Sequence, residues 1–370
     1  MIAALLLLVP IQAGQPTLGA DEARSSIQRS AKWLLENQRP DGSWGSNALE
    51  SVLEINYSPE TFYALKVAAH GLACMALRAI EETPERRASL DKAMEWLCTT
   101  RLPRRGNDWD IDGAWAWLYG FIALVDAETD PRFSSEEWQR RIRARGVEFY
   151  EELAAHQEPK GGWGYYEGPV VSRRPTWSTS FSTACVIPAL VEARTRGWPV
   201  DQALIDRAAK YVRQCRLPSG AYTYGLDPIP RVSGGESIND VKGSLSRIQV
   251  CHLALRRAGD RTVTDERIRE GLEAFFREHK FLDVARMKPI PHEAYYANAG
   301  YFYYFGHLYA GLLINELPEA EREGFHARLR PHLVKAQWKD GSSMDTQGSG
   351  YFLVAGTSFS LLALQAGLSR

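Results

Sequence analysis

The sequence predicts an all-α fold, an (α/α)6 toroid, which is a barrel of six helical-hairpin repeats. A turn pattern Gln-x-x-x-Gly-x-Trp recurs, helical spacing of apolar residues fills the segments between its copies, and strand-like alternation is absent. Helices with a charged face alternate with helices that are apolar nearly all round. Because a helix of the second kind is buried, six inner helices should be enclosed by six outer ones.

The turn pattern gives the length of the repeat. Exact copies occur at residues 38–44 and 157–163, and looser copies occur at 214–222 and 337–343. The glycines of these copies are separated by one or two units of about 60 residues, and a fixed long period indicates units that bury their apolar faces on one another. The chain therefore accommodates six units, two of them without a recognisable copy.

Each unit is predicted to contain a first helix with one solvent-exposed face and a second helix that is largely apolar. Asp21 is a candidate N-cap for the first helix, which ends at the Pro-Asp-Gly turn of residues 40–42 because Pro and Gly both stop helices. First helices carry charges, as in residues 206–210, and second helices have few, as in residues 181–190. In the first predicted pair, one helix runs from residue 21 to the turn at 40–42 and the other spans 61–80. The remaining pairs of helices are 90–99 with 113–127, 136–155 with 178–194, 201–215 with 243–258, 264–278 with 292–315, and 321–336 with 352–367.

Composition limits the classes of partner. With 44 basic and 45 acidic residues the net charge is −1, which argues against nucleic-acid binding and against more than transient contact with a membrane. The chain lacks a long Gly, Ser or Pro linker, so we expect one toroid over residues 21–370. Five cysteines without close spacing do not form a disulfide framework.

The N-terminus resembles a secretory signal. Residues 1–13 (MIAALLLLVPIQA) are apolar and too few to span a bilayer, although the expected basic residues before them are missing. We predict that residues 1–20 are a signal peptide or a disordered N-terminus and that the protein is secreted or periplasmic. The alternative is a misassigned start codon or a loose hydrophobic tail on a cytoplasmic protein.

The repeated turn and the apolar second helices resemble the squalene-cyclase and protein-prenyltransferase repeat superfamily. The specific matches are residues 38–44 and 157–163, and the resemblance covers essentially all of the chain after residue 20. It implies an α/α toroid with a central apolar cavity that binds an isoprenoid or another hydrophobic small molecule. The motif residues themselves are expected to be structural, because Gly permits a turn with positive φ and the Trp seals neighbouring units.

The metal sites of related toroids are not predicted here. No carboxylate stands two residues before any cysteine, as the zinc site of protein prenyltransferases would require. Cys251-His252 is a lone Cys-His pair that lacks the companion residues of lanthipeptide-type cyclases, and it is expected to pack in the protein. We therefore predict neither a metal nor a cofactor, and we place His252 among the residues that face the centre or a neighbouring helix.

The segment Asp108–Trp115 contains the candidate catalytic acids. It resembles the Asp-x-Asp-Asp of triterpene cyclases, with Asp110 and Asp112 retained and Gly113 in place of the last acid. The resemblance implies that Asp112 protonates an alkene, with Asp110 as its supporting carboxylate and Trp115 as a cavity wall. The alternative is that both acids only cap and stabilise the N-terminus of the following helix.

The second helix of unit five is unusually aromatic. It is predicted to run from residue 292 to 315, and Tyr301, Tyr304 and His307 on it could line a cavity with apolar bodies and polar tips. The alternative is that these side chains fill the core and that the histidine is satisfied there.

Three classes of function remain open on this evidence. The first is a hydrophobic-ligand protein, which as an enzyme would be an acid-initiated cyclase or isomerase. The second is a non-enzymatic exported scaffold that binds a peptide, a glycan or a partner domain. The third is a carbohydrate-active enzyme, for which Glu236 and Asp240 are the candidate loop acids. A closed apolar cavity at Asp112 would favour the first class, and an open aromatic groove would favour the others.

Overall fold

A computed structural model describes residues 16–46, 54, 57–104, 112–165, 177–226 and 236–368. The signal-like residues 1–13 and the candidate acid Asp110 lie outside these described residues. None of the helices in the described segments is both long and apolar enough to cross a membrane.

The described segments form thirteen α-helices, and their order follows the predicted pairs with one addition. They are α1 (Ala20–Glu36), α2 (Pro59–Arg78), α3 (Pro84–Thr99), α4 (Gly113–Glu128), α5 (Glu136–Ala155), α6 (Ser180–Thr195), α7 (Gln202–Gln214), α8 (Leu245–Arg257), α9 (Asp265–Arg277), α10 (Lys280–Ala285), α11 (Phe302–Ile314), α12 (Glu319–Ala336) and α13 (Gly350–Ala366). Outside helices, these segments hold only two isolated β-bridges. The predicted all-α class is confirmed.

Six of the helices close an inner ring. In order around the ring they are α2, α4, α6, α8, α11 and α13, and each packs on the next, with α13 returning to α2. The helices α1, α3, α5, α7, α9 and α12 lie outside this ring, and each packs mainly on the inner helix of the preceding unit, with α1 packing on α13 of the last unit. The predicted toroid of six helical hairpins is therefore confirmed.

The inner helices owe their position to their apolar sequences. α4 buries residues on every face, from Ala114 through Trp117 and Phe121 to Val125, and carries no charge in its first turn. The outer helix α9 buries one stripe that includes Ile268 and Phe275, and it leaves its charged residues toward solvent. This difference between the two sets is what separates the two layers.

Side-chain caps begin many of the helices. In each case a Ser, Thr or Asp oxygen accepts a hydrogen bond from an amide of the first turn, which satisfies a group that the helix itself leaves unpaired. The capping residues are Ser58, Thr83, Ser135, Thr179, Asp201 and Thr264.

The copies of the repeated turn that begin with Gln38, Gln157 and Gln337 each bond to the next outer helix. In the first copy the Gln38 Nε2 group donates to the carbonyl oxygens of Gly42 and Ser89, both at 2.9 Å, and Ser89 lies on α3. Trp44 is fully buried, and its Nε1 group donates to Leu34 O at 2.8 Å. The turn is therefore structural, as expected from the motif.

The same device closes the ring. Gln157 donates to Leu204 O of α7 at 3.0 Å, and Gln337, which follows α12, donates to Ser26 O of α1 at 3.0 Å. The last unit is thus held to the first by the bonds that hold two consecutive units together.

Three details of the fold differ from the sequence prediction. The N-cap of α1 is Gly19, whereas Asp21 lies in the first turn of that helix. Residues 292–301 were expected to be helical, but α11 begins at Phe302, and His292, Tyr296 and Ala297 have positive φ angles of 65°, 58° and 50°. Contacts from distant segments hold this loop, since Tyr296 N donates to Glu236 Oε2 at 3.1 Å. The short helix α10, which precedes the loop, was not predicted.

Candidate functional site

A cavity of about 420 Å³ lies inside the inner ring. Most of its wall is apolar and comes from α2, α4, α6, α11 and α13, with large contributions from Trp115, Phe181, Phe305 and Phe359. Its volume falls within the range of about 300–1,000 Å³ that is usual for small-molecule sites. The cavity expected from the resemblance is therefore present.

The polar lining of this cavity comes from the segments that lead into inner helices. Glu54 precedes α2, Asp112 precedes α4, His292 precedes α11 and Asp345 precedes α13. These four residues define the mouth of the cavity, and the apolar wall lies along the helices. A hydrophobic ligand in the cavity would have its polar or reactive end among three carboxyl groups and an imidazole.

Asp112 is buried at the mouth, with 8% of its surface exposed. Its backbone is left-handed, with φ of 66°, and its amide donates to Tyr165 O at 2.6 Å. It occupies the N-cap position of α4, but its side chain makes no capping hydrogen bond to that helix. A non-glycine residue in this strained conformation is a common feature of functional sites.

Asp345 is a second buried acid of the mouth, with 5% of its surface exposed. Its Oδ2 atom accepts a hydrogen bond from the Tyr304 amide at 3.0 Å, in the first turn of α11. Burial raises the pKa of Asp345 to about 7, because desolvation outweighs this hydrogen bond and the nearby Arg286. At neutral pH a substantial fraction of this carboxyl group is therefore protonated.

Glu54 is the third acid of the mouth and is held on one side by α13. Its carboxyl group accepts hydrogen bonds from the Ser349 amide at 3.1 Å and from the hydroxyl groups of Ser349 and Tyr351. These contacts tie the segment before α2 to the beginning of α13. They also fix the direction of the carboxyl group.

A row of hydrogen-bonded phenols runs from the mouth. The Tyr165 and Tyr224 hydroxyls are 2.5 Å apart, the Tyr224 and Tyr301 hydroxyls are 3.3 Å apart, and Tyr301 Oη is 2.8 Å from His292 Nε2. His292 Nδ1 is 2.7 Å from Ala297 O, which can only accept, so His292 carries its proton there and receives one from Tyr301. Burial lowers the pKa of His292, which keeps the ring neutral.

The aromatic rings of the wall pack on one another around the cavity. Trp115 stacks on Tyr119 and Phe181 with centroid separations of 6.1 and 5.9 Å, and Tyr301 stacks on Phe181 at 6.4 Å. Trp115 and Tyr301 therefore line the cavity together. Their faces offer negative quadrupole potential to a positively charged group.

Three other predicted site residues do not line the central cavity, namely Tyr304, His307 and His252. Tyr304 is fully buried and points outward, since its hydroxyl donates to Ala336 O of α12 at 3.3 Å. His307 also points toward the outer layer, where its Nε2 atom lies 3.0 Å from His279 Nε2. The helix face explains both positions, because only every third or fourth residue of α11 can face the ring centre.

His252 borders a different cavity of about 410 Å³, on the outer side of α8 near Arg216 and Arg267. Burial lowers its pKa to about 3, and within the described residues neither ring nitrogen has a hydrogen-bond partner. Glu236 and Asp240, the candidate sugar-active pair, are also absent from the lining of the central cavity.

The site also contains three residues that were not predicted from the sequence, namely Asp345, Glu54 and Phe181. The position of Asp345 in the sequence could have indicated it, because Asp345 lies just before an inner helix, as Asp112 does. It also follows a copy of the repeated turn. Glu54 and Phe181 carry no such signal, since only the closed ring brings them to the cavity.

A larger cavity of about 500 Å³ lies on the outer wall beside α5 and is lined mainly by charged side chains, including Arg101, Arg145 and Glu148. The Arg145 guanidinium pairs with Glu148 there. Its charged lining differs from the largely apolar wall of the central cavity.

The chain is similar in structure to several toroid enzymes. A type II terpene cyclase, MstE from Scytonema, matches with 16% identity and a TM-score of 0.52 over 95% of this chain and 98% of that chain. The GH76A α-1,6-mannanase from Salegentibacter sp. HEL1_6 matches with 11% identity and a TM-score of 0.58 over 94% and 99%. A possible member of the GH105 family from Klebsiella pneumoniae matches with 12% identity and a TM-score of 0.56 over 99% and 98%.

MstE variants have been captured with geranylgeranyl dihydroxybenzoate as substrate and merosterolic acid A as product. No protein-family model matches this chain, and no curated protein matches it either. At these low identities the structural likeness shows the fold alone. That fold is the α/α toroid that the sequence predicted.

Proposed function

We propose that the central cavity binds an isoprenoid or a similar hydrophobic molecule and that a carboxyl group at its mouth starts a cyclisation or isomerisation by protonating an alkene. The observation that carries this proposal is the combination of an aromatic wall with the buried acid Asp345, whose pKa is raised to about 7. The MstE complexes with a geranylgeranyl substrate and its product lend support by analogy of fold.

The chemistry asks for an acid that keeps its proton in a dry site. Protonation of an alkene gives a carbocation, and the faces of Trp115, Phe181 and Tyr301 would stabilise that charge. Asp345 meets the demand for a proton at neutral pH because it is buried. Asp112, which the sequence resemblance favours as the donor, lies in the same mouth, so both acids are candidates.

The test is mass spectrometry of organic extracts from purified protein, before and after incubation with linear polyprenyl alcohols. Wild type is compared with Asp112→Asn and Asp345→Asn, and with Asp21→Asn as a control that removes an exposed carboxyl group outside the cavity. We expect a bound lipid in all four proteins and a changed carbon skeleton in wild type and Asp21→Asn. Conversion should fall as the pH rises through about 7, because ionisation removes the proton of Asp345.

The acid variants identify the donor. Loss of conversion only in Asp345→Asn assigns the proton to Asp345, and loss only in Asp112→Asn assigns it to Asp112. The same unchanged lipid in all proteins would mean a lipid carrier. Absence of any lipid from all of them would contradict the proposal.

The second candidate is a non-enzymatic interaction scaffold, and the rim of the mouth favours it. Ile290 lines the cavity and is 58% exposed, and Tyr295 in the same loop is 59% exposed. Exposed apolar side chains beside a cavity are typical of binding surfaces for a peptide, glycan or partner domain. This function would be preferred if the extracts contained no lipid.

A further inference from the structure

We propose that His279, Asp283 and His332 form a binding site for a divalent transition metal ion on the outer wall of the toroid. His279 immediately precedes α10, Asp283 lies on α10 and His332 lies on α12. One ligand atom from each of the three residues lies within 4.8 Å of the other two. The site is separate from the central cavity and does not depend on the function proposed for it.

His307, a fully buried residue of α11, determines which nitrogen of His279 carries a proton. Its Nδ1 atom is 2.7 Å from Tyr303 O, and a carbonyl oxygen can only accept a hydrogen bond, so Nδ1 carries the proton. The Nε2 atom of the neutral ring therefore has a lone pair. That atom lies 3.0 Å from His279 Nε2, so His279 must donate its own Nε2 proton to His307.

The other nitrogen of His279 faces a carboxylate. With the proton on Nε2, the Nδ1 atom of a neutral His279 has a lone pair and no proton. This atom faces Asp283 Oδ2 at 3.0 Å, and the carboxylate oxygen also offers only lone pairs. Two acceptors at that distance repel each other, so a positive charge has to lie between them. The charge is either a second proton on His279 or a metal ion.

His332 distinguishes between a second proton and a metal ion. Its ring stacks on that of His279, with centroids 3.5 Å apart and planes 27° from parallel, and one of its nitrogens belongs to the same group of ligand atoms. A shared proton bridges only two atoms, so it would not explain why a third ligand atom lies beside them. A metal ion needs several donors, so the presence of the second imidazole favours the metal.

The donor set indicates the class of ion. Two imidazole nitrogens and one carboxylate oxygen suit Zn²⁺ and related first-row ions, whereas Mg²⁺ and Ca²⁺ prefer oxygen donors alone. His279 is buried with 3% of its side chain exposed, and the Asp283 side chain is 53% exposed, so the cluster opens to solvent on one side. A water molecule can complete the coordination from that side.

The contacts around the cluster match those of known metal-binding histidines. A ligating imidazole usually donates its remaining N–H to a carbonyl, a carboxylate or another fixed acceptor, which sets its tautomer and orientation. His279 donates to His307, and His307 donates to Tyr303 O. The bound ion would clamp α10 and α12 together over α11.

The test is a titration of chelator-treated full-length protein with Co²⁺, followed by visible absorption, and with Zn²⁺ in competition with a fluorescent chelator. We expect one ion per chain, a Co²⁺ spectrum typical of mixed nitrogen and oxygen ligands, and no competition from Mg²⁺. Asp283→Asn and His332→Gln should each weaken Zn²⁺ binding by at least about tenfold. Changes to residues that only support metal ligands already weaken binding by about 10–100-fold, so loss of a ligand should cost no less.

Controls separate loss of ligands from loss of fold. Asp283→Asn alters a half-exposed side chain, so this variant should fold, which circular dichroism would verify. His156→Gln removes a histidine that instead contacts Glu152 O and Trp117, and it should leave Zn²⁺ binding unchanged. Failure to bind one ion per chain, or equal binding by wild type, Asp283→Asn and His332→Gln, would overturn the proposal and leave a proton-bridged pair.

Discussion

Asp112 and Asp345 both lie in segments that lead into an inner helix, yet their surroundings give them different properties. The Asp345 carboxyl group accepts from the first turn of the neighbouring helix α11, and burial raises its pKa to about 7. Asp112 has a left-handed backbone and makes no capping bond to α4. Their sequences alone do not distinguish these environments, because each depends on another unit: Asp345 on the first turn of α11 and Asp112 on the carbonyl of Tyr165.

The raised pKa of Asp345 predicts how stability depends on pH. The folded state holds the proton up to pH about 7, whereas an unfolded aspartate releases it near its model value of 3.8. The unfolded state therefore binds fewer protons between these values, and the free energy of unfolding falls as the pH rises from about 4 to 7. Asp345→Asn, which stays neutral, should weaken this dependence and be more stable than wild type above pH 7.

Urea denaturation at a series of pH values measures this effect. The expected difference between wild type and Asp345→Asn is a few kcal/mol at most, since one pKa unit corresponds to about 1.4 kcal/mol. Asp21→Asn, at an exposed position, serves as the charge-matched control and should follow wild type. Parallel pH profiles for wild type and Asp345→Asn would show that Asp345 ionises normally.

Tyr301 is the residue that joins the wall of the cavity to the polar groups of its mouth. Its hydroxyl donates to His292 Nε2 at 2.8 Å and lies 3.3 Å from the Tyr224 hydroxyl. Tyr301→Phe would leave the partly buried His292 nitrogen without its donor, so we expect a loss of about 1 kcal/mol in stability. Tyr295→Phe, at a site that is 59% exposed, should change the thermal midpoint little, and equal midpoints for both variants would argue against the bond.

At the scale of the element, the repeated turn shows how much of the fold the sequence could predict. The local chemistry of Gln, Gly and Trp was sufficient, because their main partners lie in the turn and on the neighbouring outer helix. The start of α11 was predicted wrongly, because periodic aromatic residues look helical while contacts from distant loops hold residues 292–301 in turns. Tertiary contacts of this kind leave no periodic signal in the sequence.

Gly341 tests the turn at the last copy of the motif. It has φ of 94°, and a Cβ atom added there would lie 2.3 Å from Arg29 O of α1. Gly341→Ala therefore combines backbone strain with a backbone clash, and we expect it to destabilise the protein by about 2 kcal/mol or more. Denaturant midpoints at constant m-value would measure the change.

Gly324 on α12 is the matched control for this substitution. It is exposed, and a Cβ atom there would meet nothing within 4 Å. Gly324→Ala should stabilise the protein by about 0.5–1 kcal/mol, because alanine favours the helix over glycine. The interpretation of the turn would fail if both substitutions shifted stability in the same direction.

At the scale of the whole molecule, the candidate site exists because the ring is closed. The mouth gathers residues from the beginnings of different inner helices, so Glu54 near one end of the chain meets Ser349 and Tyr351 near the other. Motifs and local patterns could place Asp112, Trp115 and Tyr301. They could not predict that Glu54 belongs to the site or that His307 points away from the cavity, because these positions depend on the rotation and packing of whole helices.

Closure of the ring predicts that its seam behaves as an interior contact. Gln337 donates to Ser26 O at 3.0 Å and to Ser30 Oγ at 2.9 Å on α1, and Gln157 donates to Leu204 O at 3.0 Å between consecutive units. Gln337→Ala and Gln157→Ala should therefore each cost about 1–3 kcal/mol, as buried donors and acceptors lose their partners. Both variants should unfold in a single transition, because every unit in a closed ring has two neighbours.

The measurement is urea unfolding followed in parallel by far-UV and near-UV circular dichroism and by tryptophan fluorescence, whose coincidence indicates a two-state process. In an open array of repeats the terminal units fray independently, since each unit is stabilised only by its nearest neighbours. If the toroid behaved as an open array, Gln337→Ala would show an early separate transition, whereas Gln157→Ala would keep a single transition. That pattern would contradict a cooperative ring, whereas matching shifts in both variants would show that the first and last units are joined as firmly as any other pair.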